Sequence, residues 1–172
     1  LVLFVGLIVF NLFVECINRA PSLILSNANY VKKVVFPLEI LPWITLGSAL
    51  FHSFISLCVW LIAYIVLFGM PNISALLFPI IFLPFILLIM GLNWLLSSLG
   101  VFLRDIGQVI GIITTAMMFL SPLFFPLSSL PEAYQLIIQF NPLTVPIEQL
   151  REVLLWGRFP NFEVLAIYSC VS

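Results

Sequence analysis

The sequence predicts an all-α integral membrane protein, and three observations carry that prediction. Hydrophobic residues make up 63 % of the 172 and charged residues only 8 %, against about 25 % charged in soluble domains. Six basic and seven acidic side chains cannot clothe a water-facing surface of this size. Second, residues 40–103 contain no Asp, Glu, Lys or Arg, and neither do residues 106–131. A spanning helix takes about 20 apolar residues, so the first stretch holds two spans and a short connection. Third, the apolar stretches are punctuated by turn residues or paired charges, as a multi-pass chain requires. A net charge of −1 with no basic stripe argues against a nucleic-acid partner.

Residues 1–18 read as the first span. Glu15 and Arg19 stand at i and i+4, where opposite charges meet on one helix face. A charge at mid-bilayer costs about 2.5–3.5 kcal/mol, so the pair is expected at the headgroup interface, and Pro21 supports a stop there. Residues 20–42 include Ser26, Asn27, Asn29, Lys32, Lys33 and Glu39 and are too polar to cross. Residues 22–35 suit a short amphipathic surface helix, and Lys32 and Lys33 assign it to the cytoplasm by the positive-inside rule. The second span, 43–68, begins at the interfacial Trp43 and carries His52 as its one ionisable residue. The Gly-Met-Pro-Asn at 69–72 is a turn signal on the opposite side.

The third span is expected at 73–101, with Pro79 and Pro84 bending its outer half, which spanning helices tolerate when neighbours cover the freed carbonyls. Arg104 and Asp105 mark a tight cytoplasmic turn, and a fourth span returns over 106–125. Within it Gly107 and Gly111 have the GxxxG spacing of a close helix contact. Residues 126–160 are interrupted by prolines at 126, 131, 142 and 146. Pro131 opens one short helix with Glu132 in its first turn. A second is expected over 145–156, with Thr144 as its N-cap and Gly157 as its stop. Glu148, Arg151 and Glu152 fall on one face of it, and Ile147, Leu150 and Leu154 on another. Both helices are too short to cross and read as outer re-entrant pieces, which lipid permits only where protein or a cavity covers the broken backbone. Residues 162–172 open a last span. The chain begins and stops inside apolar stretches, so it is expected to be a piece of a longer one.

No GxxxxGK[ST] nucleotide loop, catalytic constellation or metal-ligand spacing is present in the sequence. Cys16, Cys58 and Cys170 read as small core hydrophobes. His52 is read as a satisfied or lipid-shielded packing residue rather than a catalytic one. Glu15 with Arg19 is read as an interfacial pair, the alternative being a buried functional one. For Phe124, Phe125, Tyr134 and Trp156 an aromatic belt and a ligand-contacting role stand open together. Asn72-Ile73-Ser74 matches a glycosylation sequon.

Three ordered segments resemble one family. Residues 26–42 (SNANYVKKVVFPLEILP), 102–108 (FLRDIGQ) and 121–157 (SPLFFPLSSLPEAYQLIIQFNPLTVPIEQLREVLLWG) are similar to the permease subunit of type-2 ABC exporters of lipid-linked polysaccharide: O-antigen, capsule and teichoic acid. Leu38 departs from the pattern, where a basic residue is usual. The resemblance implies a six-span permease fold in the bacterial inner membrane, seen here from the second span to the start of the sixth. It also implies a homodimer, an undecaprenyl-linked substrate, and a separate ATP-binding subunit that holds the ATP and Mg, with no cofactor in this chain. By the same resemblance Asn27, Lys32, Lys33, Phe36, Pro37 and Glu39 would couple to the ATPase, beside the Arg104–Asp105 turn. Phe124, Phe125, Tyr134 and Trp156 would contact substrate at the channel exit. Competing readings are an ABC permease for a drug or small lipid, a membrane glycosyltransferase or polymerase, and a secondary transporter. The last two want ionisable residues at a catalytic pocket or the midplane, where these spans are nearly charge-free.

Overall fold

The computed structural model describes residues 1–27, 38–103, 105–123, 138 and 141–171, and all regular structure among them is helical. Helix α1 runs Val2–Arg19 and ends just ahead of Pro21. A 3₁₀ turn, Ala20–Ser22, carries the chain straight into α2, Leu23–Ser26. Pro21 lies in the first turn of that 3₁₀ piece, where its missing N–H leaves nothing unpaired. The helical stretch Val2–Ser26 is thus long and apolar enough to cross a membrane, and the Glu15–Arg19 pair sits within it rather than at its end.

Helix α3, Ile40–Phe68, starts ahead of the expected Trp43 because Pro42 falls in its first turn. It ends at Gly69, whose φ of 88° suits a residue without a Cβ. After a 3₁₀ turn, Ile73–Leu77, helix α4 runs Phe78–Phe102, with Pro79 at its start and Pro84 inside it. Pro79 therefore begins α4 instead of bending it. Helix α5, Ile106–Leu120, stops five residues short of the expected 125. The cause is Pro122: the residue before a proline is pushed out of the helical region, and Ser121 is extended at φ −95°, ψ 147°. Helices α6, Thr144–Leu154, and α7, Phe162–Val171, complete the described chain. Val2–Ser26, Ile40–Phe68 and Ser74–Phe102 are long enough to span; Ile106–Leu120 is apolar but shorter.

Helix α1 is the hub. Helices α3, α4, α5 and α6 all pack on it, burying Val5, Val9, Leu12, Phe13 and Cys16. Helix α3 turns Phe51, Phe54, Val59, Ile62 and Val66 outward, an apolar surface that hydrocarbon accepts. The tightest crossing lies where α4 meets the 3₁₀ turn: a Cβ on Gly100 would overlap the Pro21 carbonyl. Gly107 and Gly111 meet nothing within 4 Å, so the expected GxxxG contact is not made among the described residues.

Two ends emerge from these contacts. At one, α2 packs on α4, the Trp94 indole N–H donates to the Glu39 carbonyl at 3.5 Å, and Trp43 meets Trp94 edge-on with centroids 6.4 Å apart. The 103–105 turn joins α4 to α5 at this end. At the other, the buried Ser74 hydroxyl donates to the Val153 carbonyl at 3.0 Å, and the Trp60 indole donates to the Leu1 carbonyl at 3.2 Å. Gly157 (φ 64°) packs so closely on the Asn72 side chain that a Cβ would collide with it.

Candidate functional site

Three loci gather the polar and aromatic residues of this apolar chain. The first is the end bearing the 103–105 turn. Asn27 closes α2 by donating its side-chain amide to the Leu23 carbonyl at 2.8 Å. Glu39 precedes α3 with its carboxylate exposed. Asp105 is exposed at the start of α5, and its carbonyl accepts from the Gln108 and Val109 amides at 3.1 and 3.4 Å. The fold thus brings Asn27, Glu39 and Asp105 to one end of the helix assembly. Lys32, Lys33, Phe36, Pro37 and Arg104 lie outside the described residues.

The second locus is the opposite end, built around α6. Thr144 is not its N-cap but its first helical residue, since Leu143 caps it. The Thr144 hydroxyl turns back to the Ile138 carbonyl, and the Asn141 side chain takes over the capping by accepting the Leu143 amide at 3.0 Å. Arg151, expected on a polar outer face, is fully buried. Its Nη2 donates to the Leu123 carbonyl at 2.6 Å, and its Nη1 reaches Glu148 at 3.4 Å. The guanidinium is held down on α1 at Gly6, where a Cβ would stand 3.0 Å from the Leu123 side chain and 3.3 Å from Nη2. Burial lowers the Arg151 pKa and Glu148 opposes the fall; an arginine starts so high that it stays charged. This one side chain ties three pieces together: the break after α5, helix α6, and the outer part of α1.

Trp156, just beyond α6, is half exposed. It borders a cavity of about 400 Å³ with Leu1, Tyr64 and Phe68. Trp60, Tyr64 and Phe68 form a ladder along α3, with ring centroids 5.1 and 5.5 Å apart. The i, i+4, i+8 spacing was readable in the sequence, yet these aromatics escaped the candidate set. Phe124, Phe125 and Tyr134 lie outside the described residues.

The third locus lies between α1 and α3. His52 is satisfied there by a charged partner. Its Nδ1 lies 3.0 and 3.1 Å from the two Glu15 carboxylate oxygens, and Arg19 Nη2 lies 3.1 Å from Oε1 of the same carboxylate. Glu15 is therefore gripped from two helices. His52 stands 12 residues into α3, about 18 Å along its axis, which places the pair well inside the helix stack.

Against this geometry stand the similarities to known proteins. Residues 1–155 match the family described as ABC-2 type transporter. An O-antigen export system permease protein RfbA from Klebsiella pneumoniae is 28 % identical over 171 residues, covering 97 % of this chain and 64 % of that protein. Its counterpart from Myxococcus xanthus is 25 % identical over 172 residues, covering 99 % of this chain and 66 % of that protein. A second Klebsiella pneumoniae RfbA is 25 % identical over 169 residues, covering 96 % and 64 %. The chain thus spans a little under two thirds of the length of the curated relatives it matches. With three helices long and apolar enough to cross, a fourth apolar helix beside them, and a family match over residues 1–155, this multi-pass membrane chain belongs to the ABC-2 type transporter family.

Proposed function

We propose that the chain is the membrane core of a permease that exports a lipid-linked polysaccharide of O-antigen type across the bacterial inner membrane. The observation that carries this reading is the end-to-end match: relatives each named as O-antigen export permeases align over 96 % or more of the chain. Energy comes from ATP hydrolysis on a separate ATP-binding subunit, as membership of an ABC transporter family implies. The end carrying Asn27, Glu39 and Asp105 is the cytoplasmic one, and residues 20–42, with Lys32, Lys33, Phe36 and Pro37, receive that subunit. The α6 end faces outward. Its broken backbone is sealed by Arg151, and Trp156 with Tyr64 and Phe68 offers flat faces on which sugar rings stack. Two copies of the permease enclose the path.

Deletion of the gene in its own host tests this reading. Surface polysaccharide should disappear while the lipid-linked chain accumulates inside, and the full-length permease should restore export only when its ATPase is also present. Unchanged surface polysaccharide, with altered efflux of a drug or small lipid, would favour the related small-molecule permease instead.

A further inference from the structure

Helix α1 carries its polar side chains on one face. Asn11, Glu15, Asn18 and Arg19 stand at i, i+4, i+7 and i+8, the spacing that stacks residues along a single stripe. Asn11, Asn18 and Arg19 are exposed. Both helices that flank the stripe answer it with polar groups. From α3 come His52, bonded to Glu15, and Ser53 and Ser56. From α5 comes Thr114, whose hydroxyl donates to Asn18 Oδ1 at 3.1 Å. Between α1 and α3 lies a cavity of about 380 Å³ whose polar lining is Asn11, Glu15, His52, Ser53 and Ser56. Hydrocarbon makes such a stripe costly, since each exposed charge and amide there would lose its hydrogen-bonding water. The stripe therefore faces protein or an aqueous space rather than lipid.

We propose that this groove between α1 and α3 binds the hydroxyls of the glycan in transit. The proposal rests on the polysaccharide-export reading and adds a site to it. Charge selects the ligand class. Glu15 is balanced by Arg19 at 3.1 Å, so the pair carries no net charge to draw a phosphate, and any anion would meet the Glu15 carboxylate. What the groove offers is a mixture of donors and acceptors. The Asn11 amide supplies both, the Ser53 hydroxyl supplies both, and the His52 ring bonds Glu15 through Nδ1 and keeps Nε2 for a ligand. A neutral polyol pairs with such a mixture; the pyrophosphate of a lipid carrier does not.

The test uses the full-length permease with its ATPase, in a background lacking Cys16, Cys58 and Cys170. Single variants Asn11→Cys, Ser56→Cys and the outward control Phe54→Cys are exposed to a charged, water-soluble thiol reagent. Reaction at 11 and 56 should run at least about tenfold faster than at 54, because the reactive thiolate does not form in hydrocarbon. A hydrolysis-deficient ATPase then stalls the lipid-linked glycan in the permease. The 11 and 56 rates should fall by about tenfold, the protection given by a ligand at about ten times its dissociation constant. The same strain making only the carrier with its first sugar should show no protection.

Rates at 11 and 56 as slow as at 54 would overturn the groove. Fast rates indifferent to stalled glycan would overturn glycan binding, and protection by the carrier alone would reassign the site to a phosphate headgroup. Ser56→Cys, on a different helix, reports if Asn11→Cys fails to insert. Failure of the export reading is read separately, from the deletion phenotype.

Discussion

Arg151 concentrates the chemistry of the outer end in one side chain. Its fork donates to a backbone carbonyl left over where α5 breaks, and to Glu148 within α6. Replacing it with methionine keeps the bulk but strips the Leu123 carbonyl of that donor. Leaving such a buried group unpaired costs about 1–3 kcal/mol. Arg151→Met should therefore lower the thermal midpoint of the purified full-length permease in detergent. Arg151→Lys should fall between the two, since a point charge cannot serve both acceptors as the planar fork does. An unaltered midpoint for the methionine variant would show that the contact is dispensable. Little of this was legible in the sequence. Glu148, Arg151 and Glu152 at i, i+3 and i+4 look like a solvated helix face, and only the arrival of α1, with Gly6 bare of side chain, turns that face inward. The His52–Glu15 contact was equally hidden, because 37 residues separate the partners and no local periodicity links them.

Element boundaries were more legible. The turn at Gly69 and the break between Leu103 and α5 follow from local rules about glycine and about charge in lipid. The misplaced boundaries lie elsewhere: Pro122 acts on the residue before it and ends α5 at Leu120, and α6 stops at Leu154, ahead of the expected Gly157. Which glycine makes the close crossing is a tertiary matter. The GxxxG pair in α5 had the expected spacing, yet Gly100 in α4 is the one pressed against backbone. Gly100→Ala should force α4 away from the Pro21 turn and destabilise by about 1–3 kcal/mol, the usual cost of overpacking. Gly111→Ala should be silent in the same thermal assay. Equal effects at both positions would contradict the crossing.

At the scale of the whole molecule, the contacts sort the connections onto two ends, and the proposed orientation makes the Asp105 end cytoplasmic. In intact cells, a cysteine placed at Arg158 should react with an impermeant reagent and one placed at Asp105 should not; the reverse pattern would invert the molecule. The chain therefore presents a polar cytoplasmic end, a sealed outer end, and between them α1 with one apolar and one polar side. Composition announced the membrane, but not that the few polar residues of α1 would be aligned on a single face and answered by α3 and α5.

The early end of α5 reaches beyond the protein itself. Fifteen residues rise about 22 Å, well under the roughly 30 Å of a typical hydrocarbon core, while the 29 residues of α3 rise about 43 Å. Both helices pack on α1, so the two flanks of one subunit demand different bilayer depths. Lipids beside α5 must thin, and α3 must tilt, at a cost that grows with each ångström of mismatch. Reconstituted into bilayers of increasing acyl length, the permease should lose activity more steeply than a transporter with helices of uniform length. Where the membrane yields around α5, it also narrows the barrier that a passing headgroup has to cross.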